Sequence, residues 1–402
     1  MKIVHCSDIH LGRRPVGGKG EFSDKRYEDY FKAFEEIVDK ACEIKADLFI
    51  IAGDIFDRKE IVPEVLEKTE KILKKLKDNR IESVVIEGNH DNIFIGKEEE
   101  SWIYYLEKKG YFKRPTYFFD GEKYRFNSVE TKTGKVYGVG YPGFMVNEVL
   151  TELAENLNID EKNIVIVHTA IAGSDFIPGM VKKESIDLFK GKVEYMAGGH
   201  IHSRMSYPSE NPYFFTPGSP EYWDIAEKKN EKGFIIFDTD TKEHQFKATK
   251  MRNKIEADIK IEAESELEFR EKFIKESDSS IEYDSESIVF IKVKVEKALY
   301  IDSIWCENYI MSKGALKANV KIIYPKESIS REYKHNGMGI EGIESEEIKK
   351  WEFFSSENEN TAKTLNKLKM LQSEKLEESF IENLDLFLDS LIDGKEAENE
   401  NK

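Results

Sequence analysis

From Lys2 to about His202, short apolar runs rich in β-branched residues alternate with stretches of helical period, the pattern of an α/β layered domain. Strands are predicted at residues 3–6, 48–52, 84–86, 164–167 and 195–197, and each runs straight into a cluster of polar residues. Active sites in such folds collect at the carboxyl ends of strands, so five ends of this kind can converge on one rim. Helices fit between them. Tyr27, Phe31, Phe34, Val38 and Ala41 form one apolar stripe and Val65, Ile72 and Leu76 another, with hydrophilic positions between. Through residues 117–141, alternation broken at Asp120-Gly121 and Thr133-Gly134 predicts hairpins. A strand at 234–237 and a turn at 238–242 close this region.

Beyond residue 250 the chain becomes highly charged, with strand signals at 255–261 and 288–295 that predict a smaller α+β domain. Gly337, Gly339 and Gly342 then punctuate a linker. A helical stretch follows near 361–392, where Leu365, Leu368, Leu371, Leu376, Phe380, Leu384, Phe387 and Leu391 recur mostly every three or four residues, an amphipathic pattern. No internal repeat is visible.

A length of 402 residues fits this division into two or three domains. Hydrophobic residues at 40% and aromatics at 12% support a packed core and exclude wholesale disorder. No apolar run approaches the ~20 residues of a membrane span, and the short apolar start meets motif residues at once, which leads us to expect a cytoplasmic protein. Cys6, Cys42 and Cys306 are widely separated and odd in number, so neither a disulfide framework nor a cysteine zinc site is expected. The net charge of −17 is awkward for binding nucleic acid. Its distribution matters: residues 1–250 hold 44 acidic and 38 basic side chains, residues 251–402 hold 34 and 23. Metal-ligating acids also count in that tally, although bound cations locally reverse their sign.

Five polar clusters follow the strands: Asp8-Ile9-His10, Gly53-Asp54-Ile55-Phe56-Asp57-Arg58, Gly88-Asn89-His90-Asp91, His168, and Gly199-His200-Ile201-His202. Asp8, His10, Asp54, Asn89, His168, His200 and His202 supply carboxylate, amide and imidazole donors, which suit manganese, iron or zinc, with no thiolate to favour softer metals. Their number fits two adjacent ions bridged by one carboxylate, for which Asp54 is the best placed. In an extended segment alternate side chains share a side, so Asp8 with His10, and His200 with His202, can reach one pair of ions. His168 alone reads as a structural histidine, and Gly-Asn-His alone as an ordinary turn; the five clusters together point to metal chemistry.

This ordered set resembles the calcineurin-like metallophosphoesterase superfamily, and Ser7-Asp8-Ile9-His10-Leu11-Gly12 resembles its SbcD branch, the DNA double-strand-break repair nucleases. The likeness spans about residues 1–220 and includes the turn Thr216-Pro217-Gly218-Ser219-Pro220; residues 251–402 match only in layout. It implies an α/β fold with a two-sheet sandwich flanked by helices, a small α+β cap and C-terminal helices. The corresponding domains are a catalytic domain over 1–250, a capping domain over 251–330, and a linker with partner-binding helices over 331–402.

The resemblance further implies one ion held by Asp8, His10, Asp54 and His202 and another by Asp54, Asn89, His168 and His200, with manganese expected and iron, zinc or magnesium as alternatives. His90 would face the substrate, and Asp57 would pair with it or cap a local helix. Arg58 would contact phosphate or lie exposed at a helix start. Residues 12–23, with Arg13, Arg14 and Lys19, read as a mobile basic loop for DNA or as a solvated loop. Phe380, Leu384, Phe387 and Leu391 would dock on an SbcC-type ABC ATPase or pack on the chain's own cap; a homodimer is left open. Trp102, Tyr104 and Tyr105 read as core-packing aromatics before base-stacking ones. The implied activity is metal-dependent DNA exonuclease and endonuclease. The rivals are a small-molecule phosphodiesterase or phosphatase on the same core, favoured by the acidic balance, and a weakly catalytic scaffold that binds DNA ends.

Overall fold

The computed structural model describes residues 1–15, 20–91, 101–172, 179–223, 227, 231–297, 299 and 301–325. The chain begins with β1 (Lys2–Cys6), α1 (Glu21–Glu43), β2 (Leu48–Ala52), α2 (Pro63–Asp78) and β3 (Glu82–Ile86). The three strands are parallel, with Ile3 beside Leu48 and Leu48 beside Glu82. After α3 (Trp102–Lys108) come β4 (Thr116–Phe119), β5 (Tyr124–Asn127), β6 (Val129–Glu130) and β7 (Lys135–Val139). Then follow α4 (Val146–Asn156), β8 (Asn163–Val167), α5 (Lys183–Asp187), β9 (Tyr195–Gly198), β10 (Met205–Tyr207), β11 (Phe214–Thr216), β12 (Gly233–Asp238) and β13 (His244–Ala248). Among the described residues, one sheet has the order β13-β12-β1-β2-β3 and a second the order β10-β11-β9-β8-β7-β6.

Strand alternation builds the layers. Ile3, Leu48, Ile50, Ala52, Val84 and Ile86 of the first sheet meet Val136, Ile164, Ile166, Tyr195, Ala197 and Phe215 of the second in one buried cluster. Their neighbours along the strands, including Val4, Cys6, Phe49, Ile51 and Val85, pack outward with the apolar stripes of α1 and α2. Val165, Val167 and Met196 pack likewise with Val149, Leu150 and Leu153 of α4. Strands covered on both faces read as unbroken apolar runs, which is why sequence located them. Each fully buried large side chain contributes ~1.5–3 kcal/mol. The stripe Tyr27, Phe31, Phe34, Val38 and Ala41 is buried along α1, as its period predicts. In α3, Ile103 and Leu106 are buried and Trp102 and Tyr105 pack against the same core. Cys6 and Cys306 are buried, Cys42 partly so, and all three are free.

By its internal contacts this first unit comprises residues 1–254 with 284–288. The second holds β14 (Lys254–Ile261), α6 (Glu266–Ser280), β15 (Ile288–Val295), α7 (Ser303–Ser312) and β16 (Lys317–Ile323), with the sheet order β14-β15-β16. Phe269, Phe273, Cys306 and Ile310 from the helices pack with Val289, Ile291 and Val293 of the central strand. Ser265 and Asp302 cap the two helices through side-chain oxygens. No described helix is long and apolar enough to cross a membrane. Phe380, Leu384, Phe387 and Leu391 lie outside the described residues.

Candidate metal centre

Parallel strands deliver their carboxyl ends to the same edge of the sandwich. Asp8 and His10 follow β1, Asp54 and Asp57 follow β2, Asn89, His90 and Asp91 follow β3, His168 follows β8, and His200 and His202 follow β9. The segment after β1 stays in register with that after β2 through Asp8 N–H to Gly53 O, His10 N–H to Asp54 O and Leu11 N–H to Ile55 O. Asp8, His10, Asp54 and His200 have φ of 53°, 52°, 54° and 75°, a left-handed conformation that costs non-glycine residues energy and clusters at functional sites. Close approach also requires glycine. A Cβ on Gly53 would lie 2.3 Å from His168 Nδ1, and one on Gly88 would lie 2.0 Å from Asp54 Oδ1.

All seven donor side chains named from sequence are brought together. One group joins Asp8, His10 and His202, whose ligand atoms lie within 4.8 Å of one another; the Nε2 atoms of His10 and His202 are 3.1 Å apart. Asp8 is fixed by the Ser7 hydroxyl at 2.6 Å and the His200 N–H at 3.0 Å. A second group joins Asp8, Asp54 and His168, and the Asp54 Oδ2 atom lies 3.4 Å from His168 Nε2 and 4.0 Å from His10 Nε2. Asn89 Oδ1 is 3.0 Å from both His168 Nε2 and His200 Nδ1.

Proton positions test whether this set suits cations. His168 Nδ1 lies 2.8 Å from the Ala52 carbonyl, which can only accept, so Nδ1 carries the proton. The Nε2 lone pair then faces Asn89 Oδ1 and Asp54 Oδ2, two further acceptors. A cation among them, or a proton on Nε2, reconciles the three. His202 Nδ1 lies 2.6 Å from Glu227 Oε1, so its Nε2 lone pair likewise faces His10 Nε2. His10 Nδ1 is buried without a hydrogen-bond partner. Metal-ligating imidazoles almost always donate their other N–H to a carbonyl or carboxylate, as His168 and His202 do here. The residues fit a pair of divalent ions.

Charge coupling is strong. Burial opposes protonation of His168, but the Asp54 carboxylate more than offsets it and lifts the imidazole to about 9. Burial also opposes ionisation of Asp54, yet His168, His10 and His90 hold it well below the usual carboxylate range. For His10 burial wins, and its pKa falls well below the ordinary value despite Asp54.

His90 is half-buried beside the donors, its ring centroid 4.9 Å from that of His10. Its N–H donates to Asp54 Oδ1 at 2.8 Å, and its Nδ1–H donates to the backbone carbonyl of Asp57 at 2.6 Å. The carboxylate of Asp57 is engaged elsewhere, with Arg13 Nη1 at 3.1 Å and Arg58 Nη2 at 3.5 Å. The hydrogen bond from His90 Nδ1 thus goes to the main chain of Asp57, while the Asp57 carboxylate lies within 4.8 Å of ring nitrogens of His10 and His90. Arg58 is 72% exposed.

Of the basic residues in 12–23, the two described arginines are held by other side chains. The Arg13 guanidinium stacks 3.2 Å over the Trp223 ring and its Nε–H donates to the Trp223 carbonyl at 3.2 Å. Arg14 donates to Asp24 at 2.6 Å and lies over the Tyr27 ring. Lys19 falls outside the described residues.

Four neighbours of the donor set are not singled out by sequence. Asp91 is buried and accepts from the N–H groups of Phe56 at 2.9 Å, Ile55 at 3.0 Å and Gly88 at 3.2 Å, tying the segment after β2 to that after β3. Burial and the nearby Asp54 push its carboxyl up to about 7 against those hydrogen bonds. Trp223 presents its ring 4.3 Å from His10 and 5.2 Å from His202. Tyr141 places its ring 5.3 Å from His200. Glu227 is held well down, to about 2: burial opposes this, but His202 and Lys232 outweigh it. Only Asp91 carries a sequence signal, as the last residue of Gly-Asn-His-Asp.

Residues 1–204 match the calcineurin-like phosphoesterase family, and the chain belongs to it. Its relatives include the DNA double-strand break repair protein Mre11 of Methanosarcina mazei, 28% identical over 337 residues, covering 83% of this chain and 51% of that one. Proteins of the same name from Methanococcus maripaludis and Archaeoglobus fulgidus are 31% identical over 248 residues (59% of this chain, 63% of that) and 26% identical over 326 residues (74% and 69%). The chain thus spans about half the length of the Methanosarcina relative. Among solved structures it is similar to TT1561 of Thermus thermophilus, at 14% identity, 62% of this chain, 99% of that chain and a TM-score of 0.38.

Proposed function

We propose that this chain is a two-metal phosphodiester hydrolase that cleaves DNA as the nuclease of a double-strand-break repair complex. The observation that carries the reading is the Asp54 carboxylate set between His10 and His168, with His90 adjoining. Asp8, His10, Asp54 and His202 would hold one ion, and Asp54, Asn89, His168 and His200 the other. When bound, such ions neutralise phosphoryl oxygens and make a water acidic enough to lose its proton near neutral pH. The donor set, lacking thiolate, is compatible with manganese, as with iron or zinc.

The protein's own contribution is positional. Because His90 commits Nδ1–H to a carbonyl, the proton that can move is at Nε2, where the imidazole can stabilise the charged phosphorus centre or protonate the departing oxygen. Arg58, largely exposed, is a cation that an approaching phosphodiester could meet. The names of the relatives support DNA as the substrate. The layout beyond residue 250 supports a cap over 251–330. The apolar recurrence through Phe380, Leu384, Phe387 and Leu391, in a segment 341–402 with 17 acidic and 8 basic side chains, supports a protein partner over DNA, namely an SbcC-type ATPase. A cytoplasmic location follows from the same reading.

The test is incubation of the full chain with manganese and end-labelled duplex, beside a chromogenic phosphodiester and a phosphomonoester. Cleavage of the duplex and the diester is expected. Turnover of the monoester alone would overturn the nuclease reading.

A further inference from the structure

Among the described contacts, the second nitrogen of His202 meets a carboxylate. His168 Nδ1 meets the backbone carbonyl of Ala52, and His200 turns Nδ1 inward to Asn89 Oδ1, an oxygen of the same donor set. Glu227 Oε1 accepts from His202 Nδ1 at 2.6 Å, while Oε2 accepts from the Trp223 N–H at 2.9 Å and from Lys232 Nζ at 2.7 Å. Lys232 is itself 1% exposed. A buried ammonium is tolerated only when its donors are satisfied, and here all three are, by Glu227, by the His202 carbonyl at 2.9 Å and by Ser219 Oγ at 2.8 Å. Lys232 therefore grips His202 twice, at its main chain and through the carboxylate that holds its ring.

We infer that Glu227, anchored by Lys232, is the positioning residue of the metal centre: it fixes His202 as the Nδ1–H tautomer, strengthens its Nε2 as a donor, and so sets the affinity of the ion shared with Asp8 and His10. This rests on the two-metal reading above. A carboxylate on the far nitrogen raises ligand basicity and locks ring orientation, and removing such a partner typically weakens metal binding about 10- to 100-fold. Glu227 reaches His202 and neither His168 nor His200 through these bonds, so the effect falls on one ion. Glu227 also links His202 to Trp223, whose ring lies against both His10 and His202, so the same carboxylate shapes the wall of that half of the site.

The test uses the full chain freed of metal, comparing wild type with Glu227→Gln and with Glu227→Gln/Lys232→Met, the second avoiding an unpaired buried ammonium if the first folds poorly. Manganese titration by calorimetry should show one ion bound about 10- to 100-fold more weakly, the one that His202→Ala also loses, with the other unchanged. Nitrogen-15 NMR of the metal-free proteins should show His202 as a single Nδ1–H tautomer in wild type and as a mixture in the variants. Wild-type affinity for both ions with an unchanged tautomer overturns the inference. Equal weakening of both ions also overturns it, because that marks a general structural role. A locked tautomer released by the substitutions, in a protein that fails to cut DNA, upholds the positioning of His202 and defeats the nuclease reading alone.

Discussion

His90 donates its Nδ1–H to the main-chain carbonyl of Asp57, at 2.6 Å. A backbone acceptor cannot be removed by mutating a side chain, so the tautomer of His90 survives changes at position 57. His90→Asn should lower kcat by ~10²–10⁴-fold, the usual cost of losing a general acid, with both ions still bound. Asp57→Asn should keep turnover within about tenfold, since the substitution acts on Arg13 and Arg58 and not on the proton-bearing nitrogen, where a general acid is worth at least ~10²-fold. Single-turnover kinetics with parallel metal analysis decide it. An Asp57→Asn variant as impaired as His90→Asn would restore the carboxylate pairing.

Asp54 lies 3.4 Å from His168 Nε2 and 4.0 Å from His10 Nε2; Asp8 groups with His10 and His202 and also with Asp54 and His168, but only Asp54 is assigned to both ions in the two-metal reading. Replacing the shared carboxylate should therefore cost both ions together. Calorimetric titration of Asp54→Asn should show no high-affinity divalent site, while Asp8→Asn retains one. One ion bound by Asp54→Asn with wild-type affinity would mean that Asp54 does not bridge.

Asp91 joins the two segments that carry Asp54 and Asn89, using both carboxylate oxygens against three N–H groups. An amide offers one oxygen and turns its NH₂ toward a remaining donor. Asp91→Asn should therefore destabilise the metal-free protein by ~1–3 kcal/mol, the cost of leaving a buried donor unmatched. Urea unfolding measures this; a midpoint equal to wild type would show the carboxylate to be dispensable.

The seven donors were legible because each follows a strand buried on both faces, and such strands are the clearest apolar runs in the chain. What escaped was recognition across distance or by the main chain. Arg13 reads as a loop cation among glycines, yet it is captured by Trp223, 210 positions away. Glu227 and Lys232 sit in a charged run with no local sign of burial. The Asp57 carbonyl has no side-chain signature at all. Strand β13 was missed for a different reason: His244 and Gln245 are exposed and its remaining positions only half-buried or exposed, so an edge strand paired on β12 carries too little apolar alternation to read.

His5, to which sequence assigns no chemistry, lies fully buried between the two sheets. Its Nε2 is 3.0 Å from the Gly198 carbonyl and its Nδ1 is 2.8 Å from the Tyr195 hydroxyl. The carbonyl must accept, so Nε2 carries the proton and Nδ1 accepts from Tyr195. The ring is neutral in the folded protein, because burial pushes its pKa down to about 3, with the Gly198 carbonyl opposing. An unfolded histidine titrates near 6.5. Above that pH both states are neutral and the contribution of this site is fully present. Between about 6.5 and 3 the unfolded chain takes up a proton that the folded chain excludes, so stability falls as pH falls, by about 1.4 kcal/mol per pH unit for the one proton. His5→Gln keeps an amide donor and acceptor in place of the ring and cannot titrate. Urea unfolding of metal-free wild type and variant between pH 6 and pH 4 should show a pH slope shallower by about one proton in His5→Gln, whatever its stability at pH 8, because all other titrating groups are shared and cancel in the comparison. Superimposable slopes would mean that His5 is charged, or solvated, in the folded core.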